Sequence, residues 1–260
     1  MTDNGRLPTL KAHATRGARV EARPPEGWRL SLPPGPRGAY RCAQLDDPTA
    51  GARSAFRWRP PLTLTLSARV WPAQVPGTWG FGFWNDPFSA GLGIGGSARR
   101  LPVLPDAAWF FFAAPPNHLS FGGDHPAQGL LAATFASCRL PGLLLAPGAL
   151  AAPLLAWPPT ARLLRRVLHR LIAEDSTRLT LDATAWHTYR LDWSAERVEF
   201  WVDGAQVFTT PVAPRGPLTF VLWIDNQFAA FPPDGRVRSG LLAGEEPCTL
   251  EVQGSEVVAG

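Results

Sequence analysis

Trp186-His187-Thr188-Tyr189-Arg190-Leu191-Asp192-Trp193 opens the stretch that decides the fold, and two further runs, Arg197 to Asp203 and Ala205 to Thr210, complete it. In an extended chain, successive side chains alternate between faces, so Tyr189, Leu191 and Trp193 share one side while Thr188, Arg190 and Asp192 share the other. Ser194-Ala195-Glu196 turns the chain. The next run places Val198, Phe200 and Val202 on one face and Arg197, Glu199, Trp201 and Asp203 on the other. Asp203-Gly204 is a strong hairpin signal, because a type I′ turn needs positive φ at both central residues.

Working outward, the same alternation recurs. Leu62, Leu64 and Leu66 face one way against Thr63, Thr65 and Ser67, and Ala68 to Trp71 continues that strand. In Thr78 to Asp86, Trp79, Phe81 and Phe83 project together with Gly80 and Gly82 between them; glycine within a strand marks close approach of another backbone or of a ligand. Ala107 to Ala113, with Trp109, Phe110, Phe111 and Phe112, reads as a strand buried on both faces. Further strands are expected at Trp28 to Leu32, Ala39 to Gln44, Pro217 to Ile224 and Cys248 to Val258. These runs, about ten or more with no repeat, indicate an all-β antiparallel β-sandwich of the jelly-roll type with one inserted amphipathic helical segment.

The chain has 260 residues with 45% hydrophobic content, enough for a sizeable core. Its 28 Pro and 25 Gly argue for many turns and against long helices. Residues 1–26 lack sustained periodicity and read as a flexible N-terminal arm; 27–260 read as a single jelly-roll domain with an apolar, helical insertion at about 128–175. Within that insertion Pro141, Pro147 and Pro153 forbid one continuous spanning helix. Ala161 to Ala173 is a convincing helix: Leu164, Val167, Leu168, Leu171 and Ile172 make an apolar stripe, and Arg162, Arg165, Arg166, His169 and Arg170 line the remainder. It is read as packed on the sandwich or over its mouth; the other reading is a basic interfacial helix in contact with anionic membrane.

A formal charge of +4 spread over scattered arginines, with Lys11 the only lysine, argues against a nucleic-acid groove. Cys42, Cys138 and Cys248 have no metal-ligand spacing, and an odd count excludes a fully paired disulfide framework. The polar N-terminal residues lack a signal-peptide core, which leads to the expectation of a cytoplasmic protein. Gly91-Leu92-Gly93-Ile94-Gly95-Gly96 has a dinucleotide-like look without the strand and helix that motif needs. No cofactor and no metal are expected.

The block Trp186 to Thr210 followed by Pro217 to Trp223 resembles the second half of the concanavalin A-like jelly roll of glycoside hydrolase family 16. Ser67 to Val70, Gly77 to Trp79 and Phe83-Trp84 are similar to the strand pair before that family's active site. The resemblance implies a catalytic strand carrying Glu, Asp and Glu at alternate positions, one carboxylate to attack the anomeric carbon and another to protonate the leaving oxygen. The strand in that place is Ala107 to Ala113, which contains no carboxylate, and the Glu-x-Asp-x-(x)-Glu pattern occurs nowhere else. Family 16 glycosidase activity is therefore not expected.

The candidate ligand-binding residues are Trp79, Phe81, Asn85, Trp109, Phe111, Trp223, Asp225 and Asn226, with Asp86 and Gln227 as polar neighbours. Aromatic rings beside a few polar groups hold sugars, and also enclose apolar ligands. His118, Asp124 and His125 are candidates for acid–base work, since an aspartate can orient an imidazole. Two classes stay open: a carbohydrate-related protein whose ligand is a glycan, or a binding protein or enzyme for an apolar small molecule under a helical lid.

Overall fold

The computed structural model describes residues 5–7, 10–47, 52–87, 103–122, 126–140 and 152–260. Two antiparallel sheets pack face to face. The eight-stranded sheet runs β13 (Ala205–Thr210), β12 (Val198–Val202), β11 (His187–Trp193), β6 (Leu62–Trp71), β17 (Cys248–Ala259), β4 (Gly27–Leu32) and β3 (Arg19–Arg23), and β1 (Gly5–Arg6) also pairs with β17. The seven-stranded sheet runs β10 (Ile172–Arg178), β9 (Gly129–Ser137), β8 (Ala107–Ala113), β7 (Thr78–Trp84), β14 (Thr219–Asp225), β5 (Cys42–Asp46) and β2 (Lys11–Ala14). A ribbon of β15 (Gln227–Ala230) and β16 (Arg238–Leu241) and one helix, α1 (Pro158–Leu171), complete the described elements. This is the all-β jelly-roll sandwich that the alternating runs anticipate.

The opening stretch folds as the alternation requires. Tyr189, Leu191, Trp193, Val198, Phe200 and Val202 are all buried between the sheets. Asp203 and Gly204 have φ of +50° and +80°, the two left-handed residues of the hairpin turn. His187 Nδ1 lies 2.6 Å from Asp203 Oδ2, and the Thr188 N–H donates to Asp203 Oδ1 at 2.8 Å, so the histidine of this block fastens a turn. That contact with His187, followed by the Thr188 bond, holds the Asp203 carboxyl below the usual carboxylate range. On the outer side of the same sheet, the Glu251 carboxylate accepts Arg29 Nε at 2.7 Å and Arg69 Nε at 2.6 Å, linking β17 to both its neighbours.

Three expectations are corrected. Residues 11–14 and 19–23, within the stretch read as a loose arm, form β2 and β3, short edge strands that pair with β5 and β4. The region read as an insertion contributes two strands of its own, β9 and β10, which extend the seven-stranded sheet beyond β8. The helix spans Pro158–Leu171 instead of Ala161 to Ala173. Prolines at its first positions replace N–H groups that have no intrahelical partner, and Ile172 adopts φ −119°, ψ 108° to begin β10.

The helix is also turned relative to its apolar stripe. Ala161 and Arg165 face inward, while Leu163 and Val167 are exposed. Arg165 Nη1 donates to the carbonyl of Phe231 at 2.6 Å and also to that of Ser120, which draws the guanidinium side of the helix to the body. All three cysteines are free thiols, Cys42 and Cys248 buried and Cys138 exposed. The Gly91 to Gly96 stretch, Asp124 and His125 lie outside the described residues. Among those described, no helix is long and apolar enough to cross a membrane.

Candidate functional site

Strand register on the seven-stranded sheet decides which side chains share a face. β8 pairs with β7 so that Trp79 lies opposite Phe112, Phe81 opposite Phe110, and Gly82 opposite Trp109. β7 pairs with β14 so that Gly80 lies opposite Trp223 and Gly82 opposite Val221. Phe110, Phe112, Phe81 and Trp79 therefore point into the core between the sheets. Trp84, Trp109, Phe111 and Trp223 form a second cluster on the sheet's other face.

Trp109 is the hub of that outer cluster. Its ring is 5.5 Å from Phe111 and stacked on it, 5.4 Å from Trp223, 6.3 Å from Trp84 and 6.2 Å from Phe135. The glycines of β7 make this packing feasible. A Cβ on Gly80 would stand 2.7 Å from Trp223 Cη2, and one on Gly82 would stand 2.7 Å from Trp109 Cβ. The close approach implied by glycine in this strand is that of these residues. Each of the four rings keeps only 7–9% of its surface exposed.

Polar groups border the aromatic cluster on the β5 side. Thr78 Oγ1 accepts the Trp223 indole N–H at 2.9 Å and donates to Asp225 Oδ1 at 2.8 Å, forming a short relay from ring to carboxyl. Gln44, opposite Trp223 on β5, donates from Nε2 to Asp46 at 2.8 and 2.9 Å. Burial pushes the Asp46 carboxyl up to about 7 against the Gln44 hydrogen bond, with the negative charges of Asp86 and Asp47 adding to the rise. Burial also raises Asp225 to about 7, opposed by its Thr78 and Gln227 bonds. His13 Nε2 stands 3.7 Å from Asp46, outside hydrogen-bond reach, and burial followed by the nearby Lys11 charge lowers its pKa. The face thus presents carboxyls with raised pKa values, an amide and indoles in a dry setting.

These two acids make a testable contribution to stability. A carboxyl whose folded pKa exceeds its unfolded value binds more protons in the native state, so its stabilisation is complete below about pH 4 and is lost as pH rises toward 7. Each can contribute a slope of up to about 1.4 kcal/mol per pH unit across that interval. Urea denaturation of the parent and of Asp225→Asn between pH 4 and 8 should show a shallower decline in the variant; identical slopes would exclude a raised Asp225.

The sequence-derived candidates divide accordingly. Trp109, Phe111, Trp223 and Asp225 come together on one face. Trp79 and Phe81, expected beside them, occupy the opposite face because each pairs across strands with a core phenylalanine. Asn85 bonds the Leu104 carbonyl at 2.7 Å and the Asp106 N–H at 3.1 Å, tying down a loop. Asn226 is fully buried and bonds Arg41 N–H, Ala39 carbonyl and Leu242 carbonyl at 2.7–2.9 Å, a structural role. His118 forms a parallel bridge with Ala230, joined by backbone bonds to Ala229 and Phe231. The face also holds Trp84, Gln44, Asp46 and Thr78, which the sequence alone does not single out. Register alone reveals them, since β5 reads as Cys-Ala-Gln-Leu-Asp without a clear apolar alternation. Among the described residues, no group of three metal-ligating side chains is present.

No family model matches the chain, and no curated protein matches it. Solved structures similar in fold include the Bacillus licheniformis β-glucanase, at 11% identity with all of both chains covered and a TM-score of 0.48. The carbohydrate recognition domain of Emp47p matches at 13% identity over 98% of this chain and 90% of that one, with a TM-score of 0.47. The Crh5 transglycosylase, solved in complex with NAG, matches at 12% identity over 96% and 78%, with a TM-score of 0.46. No activity is carried from them to this chain.

Proposed function

We propose that the chain is a carbohydrate-binding jelly roll that does not cleave its ligand, with the outer face of the seven-stranded sheet as its site. The observation that supports this reading is β8 itself. Its outward positions are Ala107, Trp109, Phe111 and Ala113, so aromatic rings occupy the strand on which retaining hydrolysis would require two carboxylates about 5–5.5 Å apart. Flat rings offer stacking surface to the C–H faces of a sugar, and Gln44, Asp46, Thr78 and Asp225 supply donors and acceptors for hydroxyls.

The near-complete cover over the rings means that a sugar gains access only when that cover moves. Ligand binding should therefore change the exposure of the face's tryptophans. Titration with a panel of β-linked oligosaccharides, followed by calorimetry and acrylamide quenching, should detect binding in the parent and a loss on the order of tenfold or more in Trp109→Ala and Trp223→Ala. Absence of glycan binding together with tight uptake of a hydrophobic fluorescent probe would replace this reading with that of an apolar-ligand pocket.

A further inference from the structure

The helix α1 and the turn before it carry two features that the aromatic face does not use. One is an exposed apolar edge. Trp157, Leu154, Leu163 and Val167 are 65%, 56%, 55% and 41% exposed, unusual for side chains of this size in a folded domain. The other is a basic recess of about 410 Å³ lined by Arg162, Arg165, Arg166, His169, Phe121 and the prolines Pro159 and Pro233. Arg165 is committed to the carbonyls of Ser120 and Phe231. Arg162 and Arg166 make no hydrogen bond or ion pair among the described residues.

The recess and the Leu163 and Val167 part of the apolar edge share one side of the helix. Each residue of an α-helix advances about 100°, so His169, Arg162, Arg166, Arg170, Leu163 and Val167 follow one another around the exposed half. The basic strip borders the apolar strip without interruption. Charge along the element is one-sided as well, since Pro158–Leu171 contains four arginines and no acid. Among the described residues, two carboxylates close to the helix are engaged. Glu174 accepts the Ser120 hydroxyl at 2.7 Å, the Phe121 N–H at 3.0 Å and the Gly122 N–H, and Asp234 lies 3.9 Å from Arg236.

We infer that this side of α1 is a docking surface for an anionic membrane. Arg162, Arg166 and His169 in the recess receive lipid phosphate, and Trp157, Leu163 and Val167 enter the boundary between headgroups and acyl chains. The chemistry selects this occupant. Unpaired guanidinium groups bind phosphate oxygens strongly, whereas exposed leucine, valine and tryptophan gain nothing from a purely ionic partner and do gain from the apolar edge of a bilayer. A tryptophan at the end of such a helix suits the interface, where its ring is apolar and its N–H is wet. The contact is peripheral, made by a face of the folded domain.

The test is vesicle flotation of the full chain with pure phosphatidylcholine and with phosphatidylcholine containing phosphatidylglycerol. Binding is expected only to the anionic vesicles and should weaken with added salt. The exposed double variant Arg162→Gln/Arg166→Gln should lose on the order of thirtyfold in affinity. Trp157→Ser/Leu163→Ser should weaken binding by tenfold or more at unchanged charge. Unchanged circular dichroism confirms that each variant is folded. Equal binding to both vesicle types, or none to either, overturns the inference. Loss in the arginine variant without loss in the apolar one assigns a bare anion surface and also overturns it. So does full displacement from the vesicles by inorganic phosphate at constant ionic strength, which identifies a site for the free ion.

Discussion

Replacing Phe110 by alanine should cost roughly 3–5 kcal/mol, a large fraction of the whole stability of an ordinary domain. Phe110 points from β8 into the space between the sheets, where its ring meets Tyr189 at 4.9 Å, Phe200 at 5.2 Å and Phe81 at 5.6 Å. Tyr189 and Phe200 belong to the eight-stranded sheet and Phe81 to the seven-stranded one. The ring therefore joins the two layers, and its removal leaves a void that rigid strands on both sides cannot close. Urea denaturation with a lowered midpoint and an unchanged slope is the expected result. A loss below about 1 kcal/mol would show that the core collapses around the gap.

Gly82→Ala should be still more damaging to the yield of folded protein. Gly82 has φ +149°, a conformation that L side chains rarely adopt, and an added Cβ would stand 2.4 Å from the Ala108 carbonyl oxygen and 2.6 Å from Trp109 Cα. Those neighbours are backbone atoms of the paired strand, so they cannot swing aside as the tip of a long side chain can. Relief requires β7 and β8 to separate, which breaks the ladder beneath the aromatic face. The comparison is Gly204→Ala, where φ is +80° but nothing lies within 4 Å of the new carbon. That variant should lose only about 1 kcal/mol from backbone strain. Comparable soluble yield and denaturation midpoints for the two variants would contradict the steric account.

The architecture was legible wherever one face of a strand is buried and the other wet. The hairpin of β11 and β12 and the long strand β6 alternate cleanly because their outer sides meet solvent. The seven-stranded sheet is harder to read because its central strands are covered on both sides, so Gly129–Ser137 appears as a mostly apolar run, with Thr134 inside it, and has no period to separate strand from helix. Its partner β10, Ile-Ala-Glu-Asp-Ser-Thr-Arg, carries charges in an edge position and follows directly on the helix.

For the candidate face, the sequence reading selected Trp109, Phe111 and Trp223, because alternation within β8 and β14 is local information. It could not separate these from Trp79 and Phe81, since the side on which a second strand's aromatics fall depends on interstrand register. The inward turn of Arg165 was equally hidden. Among the arginines of the helix, it is distinguished only by carbonyls of residues 120 and 231, which are remote in sequence.

The place of β17 has a bearing on how the polypeptide acquires this architecture during synthesis. Residues 248–259 lie between β6 and β4 in the sheet interior, with pairing to both. Until they emerge from the ribosome, the sheet exists as two unjoined portions, each exposing an open ladder of backbone groups. Closure thus waits for β17, and it joins partners at least 178 positions apart. The nascent domain carries its vulnerability to aggregation at two interior edges that are absent from the finished molecule.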